Sequence, residues 1–197
     1  MKVLVIGSTG HVGSSAIAAL SGRHEVIEAG RSTRPRIDIT DPDSVRSALD
    51  EIGTVDAVIV AAGSVPFRAL GDLDRDDYLS AFTDKVLSQI DVARLAVPHL
   101  ADRGSITLTT GILAREAIAT GAAASMANGA LESFVRAAAP ELPRGIRINA
   151  VSPSVLAEAT GYHDAFPGFP QVSSASVGQA FQRCVEGIAT GQVLRVE

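Results

Sequence analysis

Three glycines at a fixed spacing constrain the fold of this chain more than any other feature. Gly7, Gly10 and Gly13 lie within VLVIGSTGHVG at residues 3–13. An apolar, β-branched run at residues 2–6 comes before them, and an alanine-rich helical pattern follows. A buried strand that turns through glycines into a helix is the first unit of a parallel α/β sheet. The GxxGxxG spacing differs by one residue from the GxGxxG dinucleotide fingerprint, but it serves the same turn and the same close backbone approach.

Strand and helix patterns alternate along the rest of the chain. Further strands are predicted at 25–29, 36–38, 57–62, 105–110, 146–151 and 192–196, and helices at 10–20, 41–49, 75–100, 122–138 and 177–188. A break of the long helix near Thr83 is left open. The alternation predicts a three-layer Rossmann fold of class α/β, with a seven-stranded, mostly parallel sheet and helices on both faces. Residues 1–197 are expected to form a single domain, with a short lid-like loop at about 154–173, where prolines and glycines cluster.

Composition excludes several classes of partner. The net charge is −5 and no run of lysines and arginines stands out, which argues against nucleic acid and anionic membranes. No leader and no apolar stretch of membrane-spanning length is apparent, so a cytoplasmic location is expected. Cys184, the single cysteine, cannot form an internal disulfide and is expected to be a small buried hydrophobe. No metal site is expected.

The glycine segment predicts a phosphate cradle. Backbone amides at a helix N-terminus, together with the positive end of the helix dipole, bind pyrophosphate well. The candidate cofactor-binding residues in this segment are Gly7, Ser8, Thr9, Gly10, His11, Val12 and Gly13. A merely structural turn is the alternative.

The end of the second predicted strand indicates which dinucleotide is bound. An NAD-preferring site places a carboxylate there to bind the ribose 2′-hydroxyl, but this chain has Gly30-Arg31-Ser32. The Arg31 guanidinium can pair with a 2′-phosphate, and Ser32 can donate a hydrogen bond to it. NADP(H) is therefore expected in preference to NAD(H). The alternative is that Arg31 is a solvated surface charge.

These and further segments resemble the short-chain dehydrogenase/reductase family. Asp38-Ile39 is similar to the family's Asp-Val pair at the adenine ring, and Ala61-Ala62-Gly63 to its Asn-Asn-Ala-Gly stretch. RGIRINAVSPSVL at 144–156 resembles the family's strand and turn that line the nicotinamide, and TGQVLRV at 190–196 its closing strand. The resemblance implies that Asp38, Ile39, Ala61, Ala62, Gly63, Pro153 and Val155 also contact the cofactor.

The same resemblance places altered residues at the family's catalytic positions. The tyrosine and lysine positions fall on Ala124 and Asn128, and the serine position near Thr110 or Gly111. The asparagine position falls on Lys85, and Ser154 replaces the usual glycine after Pro153. An alanine has no proton to give, and a positioned general acid contributes about 10²–10⁴ in rate.

Several side chains are candidates to replace the missing phenol. Lys85 could donate a proton or stabilise an alkoxide, and Thr109 or Thr110 could hydrogen-bond a carbonyl. Tyr162 and His163 could close over the site on the lid-like loop, with Phe166 and Phe169 as its apolar underside. The alternatives are an exposed helix lysine, threonines that only end a strand, loop surface residues and a small satellite core.

Two functions stay open on the sequence. One is an atypical NADP(H)-dependent reductase of a small carbonyl compound. The other is a non-catalytic NADP(H)-binding redox sensor or regulator. In either case the resemblance implies a homodimer or homotetramer, through the small-residue helix GAAASMANGA at 121–130 that forms dimers in the family. The alternative is that this helix face packs against the sheet.

Overall fold

Six parallel strands form the central sheet of the computed structural model, which describes residues 1–197. The strands are β1 (Lys2–Ile6), β2 (Glu25–Ala29), β3 (Val55–Val60), β4 (Leu100–Thr109), β5 (Arg147–Pro153) and β6 (Val193–Val196). They pair in the order β2-β1-β3-β4-β5-β6, and every pairing is parallel. The expected Rossmann-type α/β fold with a parallel sheet is confirmed.

Helices cover both faces of this sheet. They are α1 (His11–Leu20), α2 (Pro42–Ile52), α3 (Arg75–Ala81), α4 (Ser88–Ala96), α5 (Ala122–Ala138) and α6 (Ser174–Glu186). A π-helical turn at Phe82–Leu87 joins α3 to α4, at the place where a break was left open. α2 begins with an Asp41 cap that accepts a hydrogen bond from the Asp43 amide, and Pro42 follows it.

The two faces of the sheet bury separate cores. In β1, Leu4 and Ile6 face the larger core, which also holds side chains of α2, α4 and α5. Val3 and Val5 face the second core, shared with α1 and α6. Strands buried on both sides explain why residues 3–6 of β1 and 57–60 of β3 are continuous apolar runs.

The predicted strand at 36–38 does not form, so the sheet has six strands and not seven. Only an isolated bridge joins Gly30 to Arg36. The Asp38 amide donates to the Ser44 hydroxyl, and the Asp38 carboxylate accepts from Thr40. Because side chains satisfy these polar groups, the segment turns away from the sheet while Ile37 stays buried.

None of the helices combines the length and the apolar character that a membrane crossing requires. The region 154–173, expected as a loop, contains one short 3₁₀ helix at Thr160–Ala165.

Candidate active site

A cleft of about 310 Å³ opens at the carboxyl ends of β1, β2 and β3. After β1 the chain places β2 on one side of it and β3 on the other, so the cleft lies at the switch point of the sheet, where such folds bind ligands. Ten residues predicted to bind a cofactor line it: Gly7, Thr9, Gly10, Arg31, Ser32, Asp38, Ile39, Ala61, Ala62 and Gly63. Sequence reasoning missed six others: Ile6, Gly30, Ile37, Thr40, Ser64 and Asp84.

The three glycines of the loop have different reasons to be glycine. A Cβ on Gly7, whose φ is +86°, would lie 2.4 Å from the Ala61 carbonyl oxygen. A Cβ on Gly13 would lie 2.1 Å from the Gly7 carbonyl oxygen. At Gly10 the nearest atom would be 3.6 Å away, an ordinary contact. The packing of the chain therefore requires glycine at 7 and 13, whereas at 10 it leaves free the space that an approaching phosphate would use.

The other predicted residues of the loop do not line the cleft. Ser8 is buried and its hydroxyl has no partner. Val12 packs at the edge of the second core, and His11 is exposed at the start of α1.

Positive charge gathers at the end of the cleft beside β2. Arg31 and Arg36 are exposed there, and the Arg36 Nε donates to the Arg31 carbonyl at 3.2 Å. The Thr40 hydroxyl and amide donate to the Asp38 carboxylate, and together with the charges of Arg31 and Arg36 they hold the pKa of Asp38 below its usual value. Asp38 is thus ionised at neutral pH but already bonded to Thr40.

Lys85 lies on the π-helical turn next to this cleft. A Cβ on Gly63, which lines the cleft, would come within 3.0 Å of the Lys85 Cγ, so the lysine stem rests against Gly63. Lys85 is half-buried, and loss of solvent around its ammonium group lowers its pKa to about 8. π-Helical turns of this kind occur frequently at functional sites.

Thr110, directly after β4, takes part in a buried polar network outside the cleft of the glycine loop. Its hydroxyl donates to the Glu132 carboxylate at 3.3 Å. The same Glu132 oxygen accepts from the Ser152 hydroxyl at 3.1 Å and from Arg115 at 3.0 Å. Arg115 in turn pairs with Glu197. This network joins the ends of β4 and β5 to α5.

Sequence reasoning missed both Glu132 and Arg115. Glu132 lies eight residues after Ala124 on α5, between the buried Leu131 and Val135. A charged residue on the buried face of a predicted helix needs a partner, and that signal could have found it.

Ala124 and Asn128 lie one turn apart on the buried face of α5. The Asn128 amide makes no hydrogen bond with the protein, and its oxygen is fully buried. A Cβ on Gly111 would lie 3.3 Å from the Asn128 Nδ2, so this amide sits against the end of β4. Thr109, next to Thr110, also has a buried hydroxyl without a partner.

The cover loop, residues 154–172, lies beyond β5. Pro153 ends β5, and Val155 is buried directly after it. Neither residue lines the cleft of the glycine loop. Tyr162 is 55% exposed, and the His163 ring bonds the Leu156 carbonyl within the same loop, so neither side chain reaches the glycine cleft.

Phe166 and Phe169 of the cover loop form a small apolar cluster with Ala124. The two rings meet edge to face at a centroid distance of 5.5 Å. They pack on the buried Ile112, Leu113 and Ala124. Of the two alternatives for these rings, the structure shows the satellite core.

Two other features lie away from this region. Burial raises the pKa of the Cys184 thiol to about 12, so it is a packed hydrophobe and not a nucleophile. A larger groove of about 1020 Å³ runs between α6 and β6. It lies beside residues 187–192, before β6 begins, and it contains no glycine loop. We therefore place the candidate site at the smaller cleft.

Known proteins resemble this chain over most of its length. A family model described as enoyl-(acyl carrier protein) reductase matches residues 16–190. The chain is 33% identical over 125 residues to versicolorin reductase stcU of Emericella nidulans, a match that covers 60% of this chain and 47% of that protein. The chain thus spans about half the length of this relative.

Two solved structures share the whole fold. The protein lin1944 from Listeria innocua is 42% identical, with a TM-score of 0.98 and complete coverage of both chains. A small-chain dehydrogenase in complex with NADPH is 28% identical, with a TM-score of 0.88, over all of this chain and 96% of that one.

Proposed function

Because the chain belongs to the short-chain dehydrogenase/reductase family, we propose that it is an NADP(H)-dependent oxidoreductase that reduces a small carbonyl compound. The observation that carries the proposal is the cleft at the switch point of the sheet, where a Cβ on Gly10 would meet no atom closer than 3.6 Å. A phosphate-bearing nucleotide explains both the space and its position.

The residues around the cleft fit NADP(H). The amides of residues 7–13 would hold the pyrophosphate, and Arg31 with Ser32 the 2′-phosphate. Asp38 and Ile39 would contact the adenine. Ala61, Ala62 and Gly63 would contact the adjoining ribose. Pro153 and Val155 would lie nearer the nicotinamide. A structural relative solved with NADPH supports this choice of cofactor.

Bound NADPH would supply the hydride, and the protein must then supply a proton. Lys85 is the side chain best suited to this step, because its pKa of about 8 leaves it protonated at neutral pH yet able to release the proton readily. The single hydroxyl hydrogen of Thr110 is directed at Glu132. We therefore propose that Thr110 contributes as a wall or hydrogen-bond acceptor and that Lys85 is the acid, a substitute for the phenol absent at Ala124.

The pH dependence of turnover tests this assignment. NADPH oxidation is measured with a panel of small carbonyl compounds across pH 6 to 10. The protonated fraction of Lys85 falls as pH rises through about 8, so kcat/KM for reduction falls about tenfold per pH unit above that value. Lys85→Arg keeps a charge that does not titrate, and should flatten the profile at a lower rate. An unchanged profile in the variant removes Lys85 from the mechanism.

A second candidate function is a non-catalytic NADP(H) sensor. The apolar packing of Phe166 and Phe169 against Ala124 favours it, because the region where the family keeps its phenol is filled. A sensor must bind NADP⁺ and NADPH with different affinities, since a ligand that does not discriminate shifts no equilibrium. Unequal affinities together with zero turnover on the panel would favour the sensor over the enzyme.

We also propose a homodimer or homotetramer formed through α5. Large apolar side chains are exposed on α5 and on the helical segments that pack against it, namely Leu79, Phe82, Leu87 and Met126. Such a patch is typical of a protein interface.

A further inference from the structure

The chain after β2 closes into a tight loop beside the glycine cleft. The Ile37 amide donates to the Gly30 carbonyl at 3.0 Å, and the Thr33 hydroxyl lies within hydrogen-bond distance of the Gly30 and Pro35 carbonyls. Gly30 and Ile37 both line the cleft. Because the two ends of this arginine loop, residues 30–37, are fixed to each other, the residue before Ile37 lies next to the residue after Gly30.

This geometry joins two arginines. The Arg36 Nε donates to the Arg31 carbonyl at 3.2 Å. The bond uses one N–H of the Arg36 side chain, so its two terminal nitrogens stay available. Neither guanidinium forms an ion pair with a carboxylate of the chain, and both side chains are exposed. Two positive charges are therefore held on one short loop without a carboxylate between them.

Both charges act on the same end of the cleft. After the hydrogen bonds from Thr40, the charges of Arg31 and Arg36 also lower the pKa of the Asp38 carboxyl, which lines the cleft. With Arg31 alone, the negative charge of Asp38 would balance the positive charge at this end. Arg36 gives the end a net positive charge, which attracts an anionic ligand.

The charge of a 2′-phosphate matches two cations better than one. A phosphate monoester carries about −1.5 to −2 at neutral pH, and its three terminal oxygens accept hydrogen bonds. One guanidinium can bind two of these oxygens as a fork. A second guanidinium can bind the third oxygen and neutralise the remaining charge.

Resting on the NADP(H) binding proposed above, we propose that Arg36 is a further specificity-determining residue for the cofactor. Its terminal nitrogens bind the 2′-phosphate beside Arg31, and its Nε holds the Arg31 backbone in place. Arg31 and Ser32 are therefore only part of the group that separates NADP(H) from NAD(H).

Calorimetric titration of NADP⁺ and NAD⁺ into Arg36→Ala tests the assignment. We expect NADP⁺ to bind about three- to tenfold more weakly than to the wild type. NAD⁺ should bind equally well to both, because it lacks the 2′-phosphate. Arg34→Ala is the matched control, because this arginine is exposed on the same loop but makes no hydrogen bond to Arg31 and does not lower the pKa of Asp38. Unchanged NADP⁺ affinity in Arg36→Ala, or an equal loss in Arg34→Ala, would overturn the assignment.

Arg36→Gln separates phosphate binding from support of the loop. The glutamine amide nitrogen takes the position of the Arg36 Nε, so it can still donate to the Arg31 carbonyl, but the terminal nitrogens and the charge are gone. We expect Arg36→Gln to lose as much NADP⁺ affinity as Arg36→Ala, and Arg36→Lys to keep part of it. Wild-type NADP⁺ affinity in Arg36→Gln would show that the residue only supports the loop, and the proposal would be wrong.

The salt dependence of binding gives a second readout. Salt screens the attraction between exposed charges, so added NaCl should lower the preference of the wild type for NADP⁺ over NAD⁺. The same addition should lower this preference less in Arg36→Gln, which has one cation fewer, and an equal dependence in both proteins would contradict the proposal. Absence of NADP⁺ binding to the wild type would overturn the proposed function together with this assignment, whereas a preference for NADP⁺ that survives unchanged in Arg36→Ala overturns the assignment alone.

Discussion

At the scale of single residues, the glycine loop separates what the fold needs from what a ligand needs. Gly13 is closely covered by the backbone of Gly7, whereas Gly10 faces open space in the cleft. Both look alike in the sequence, because glycine serves a tight turn, a close helix contact and a phosphate equally well. Their surroundings in the folded chain give them distinct roles.

Alanine substitutions should separate these roles. Gly10→Ala should leave the free energy of unfolding nearly unchanged, because the added Cβ meets only an ordinary contact, but weaken NADP⁺ binding by intruding on the phosphate. Gly13→Ala should cost about 1–3 kcal/mol of stability, because the backbone must shift. Urea denaturation of both variants measures the free energy of unfolding, and NADP⁺ titration measures the affinity for the cofactor. Full NADP⁺ affinity in Gly10→Ala would show that no phosphate approaches there.

At the scale of elements, the ends of β4 and β5 are tied to α5 by the Glu132 network. Glu132 is buried and its Arg115 partner nearly so, with a side chain 16% exposed. Removing one member of a buried ion pair leaves the other charge without compensation. The network therefore holds Thr110 and Ser152 in fixed positions at the ends of β4 and β5.

Glu132→Ala should lower the free energy of unfolding by about 3–5 kcal/mol. Glu141→Ala is the control, because Glu141 is exposed just beyond α5 and should change stability by no more than about 0.5 kcal/mol. The double variant R115M/E132L should recover most of the loss, since an apolar pair can replace a buried ion pair. Urea denaturation compares all three. Equal stability of Glu132→Ala and Glu141→Ala would mean that the network is not a structural tie.

The strand predicted at 36–38 shows where local pattern is insufficient. Ile37 and Ile39 are buried, on alternate residues as in a strand. Burial of alternate side chains does not require a strand ladder, however, and here Ser44 and Thr40 supply the hydrogen bonds of the segment. By contrast, the predicted helix at 122–138 coincides with α5, because a long apolar periodicity is a strong signal.

At the scale of the whole molecule, the residues of the glycine cleft could be predicted from the sequence, but the contacts around Lys85 and Ala124 could not. Gly7, Gly10 and Arg31 follow directly from strand, turn and helix order along one stretch of chain. The contacts of Lys85 with Gly63, and of Phe166 and Phe169 with Ala124, join segments far apart in sequence. No spacing rule within one element reveals such contacts.

The proposed assembly is also a property of the whole molecule. In solution, light scattering after size-exclusion chromatography should give a multiple of the 20.3 kDa chain mass. Met126→Glu should shift it toward the monomer, because a charge would be buried in the α5 interface. Tyr162→Glu, an exposed site on the cover loop, is the control. A monomeric wild-type protein would contradict the assembly.

The central claim is that the glycine cleft holds NADP(H) with Arg31 against the 2′-phosphate, and calorimetry tests it most directly. NADP⁺ and NAD⁺ are titrated into the wild type and into Arg31→Ala. We predict that the wild type binds NADP⁺ at least about tenfold more tightly than NAD⁺, and that Arg31→Ala removes most of this difference while leaving NAD⁺ affinity unchanged. No heat with either dinucleotide, or equal affinity for both in the wild type, would contradict the account.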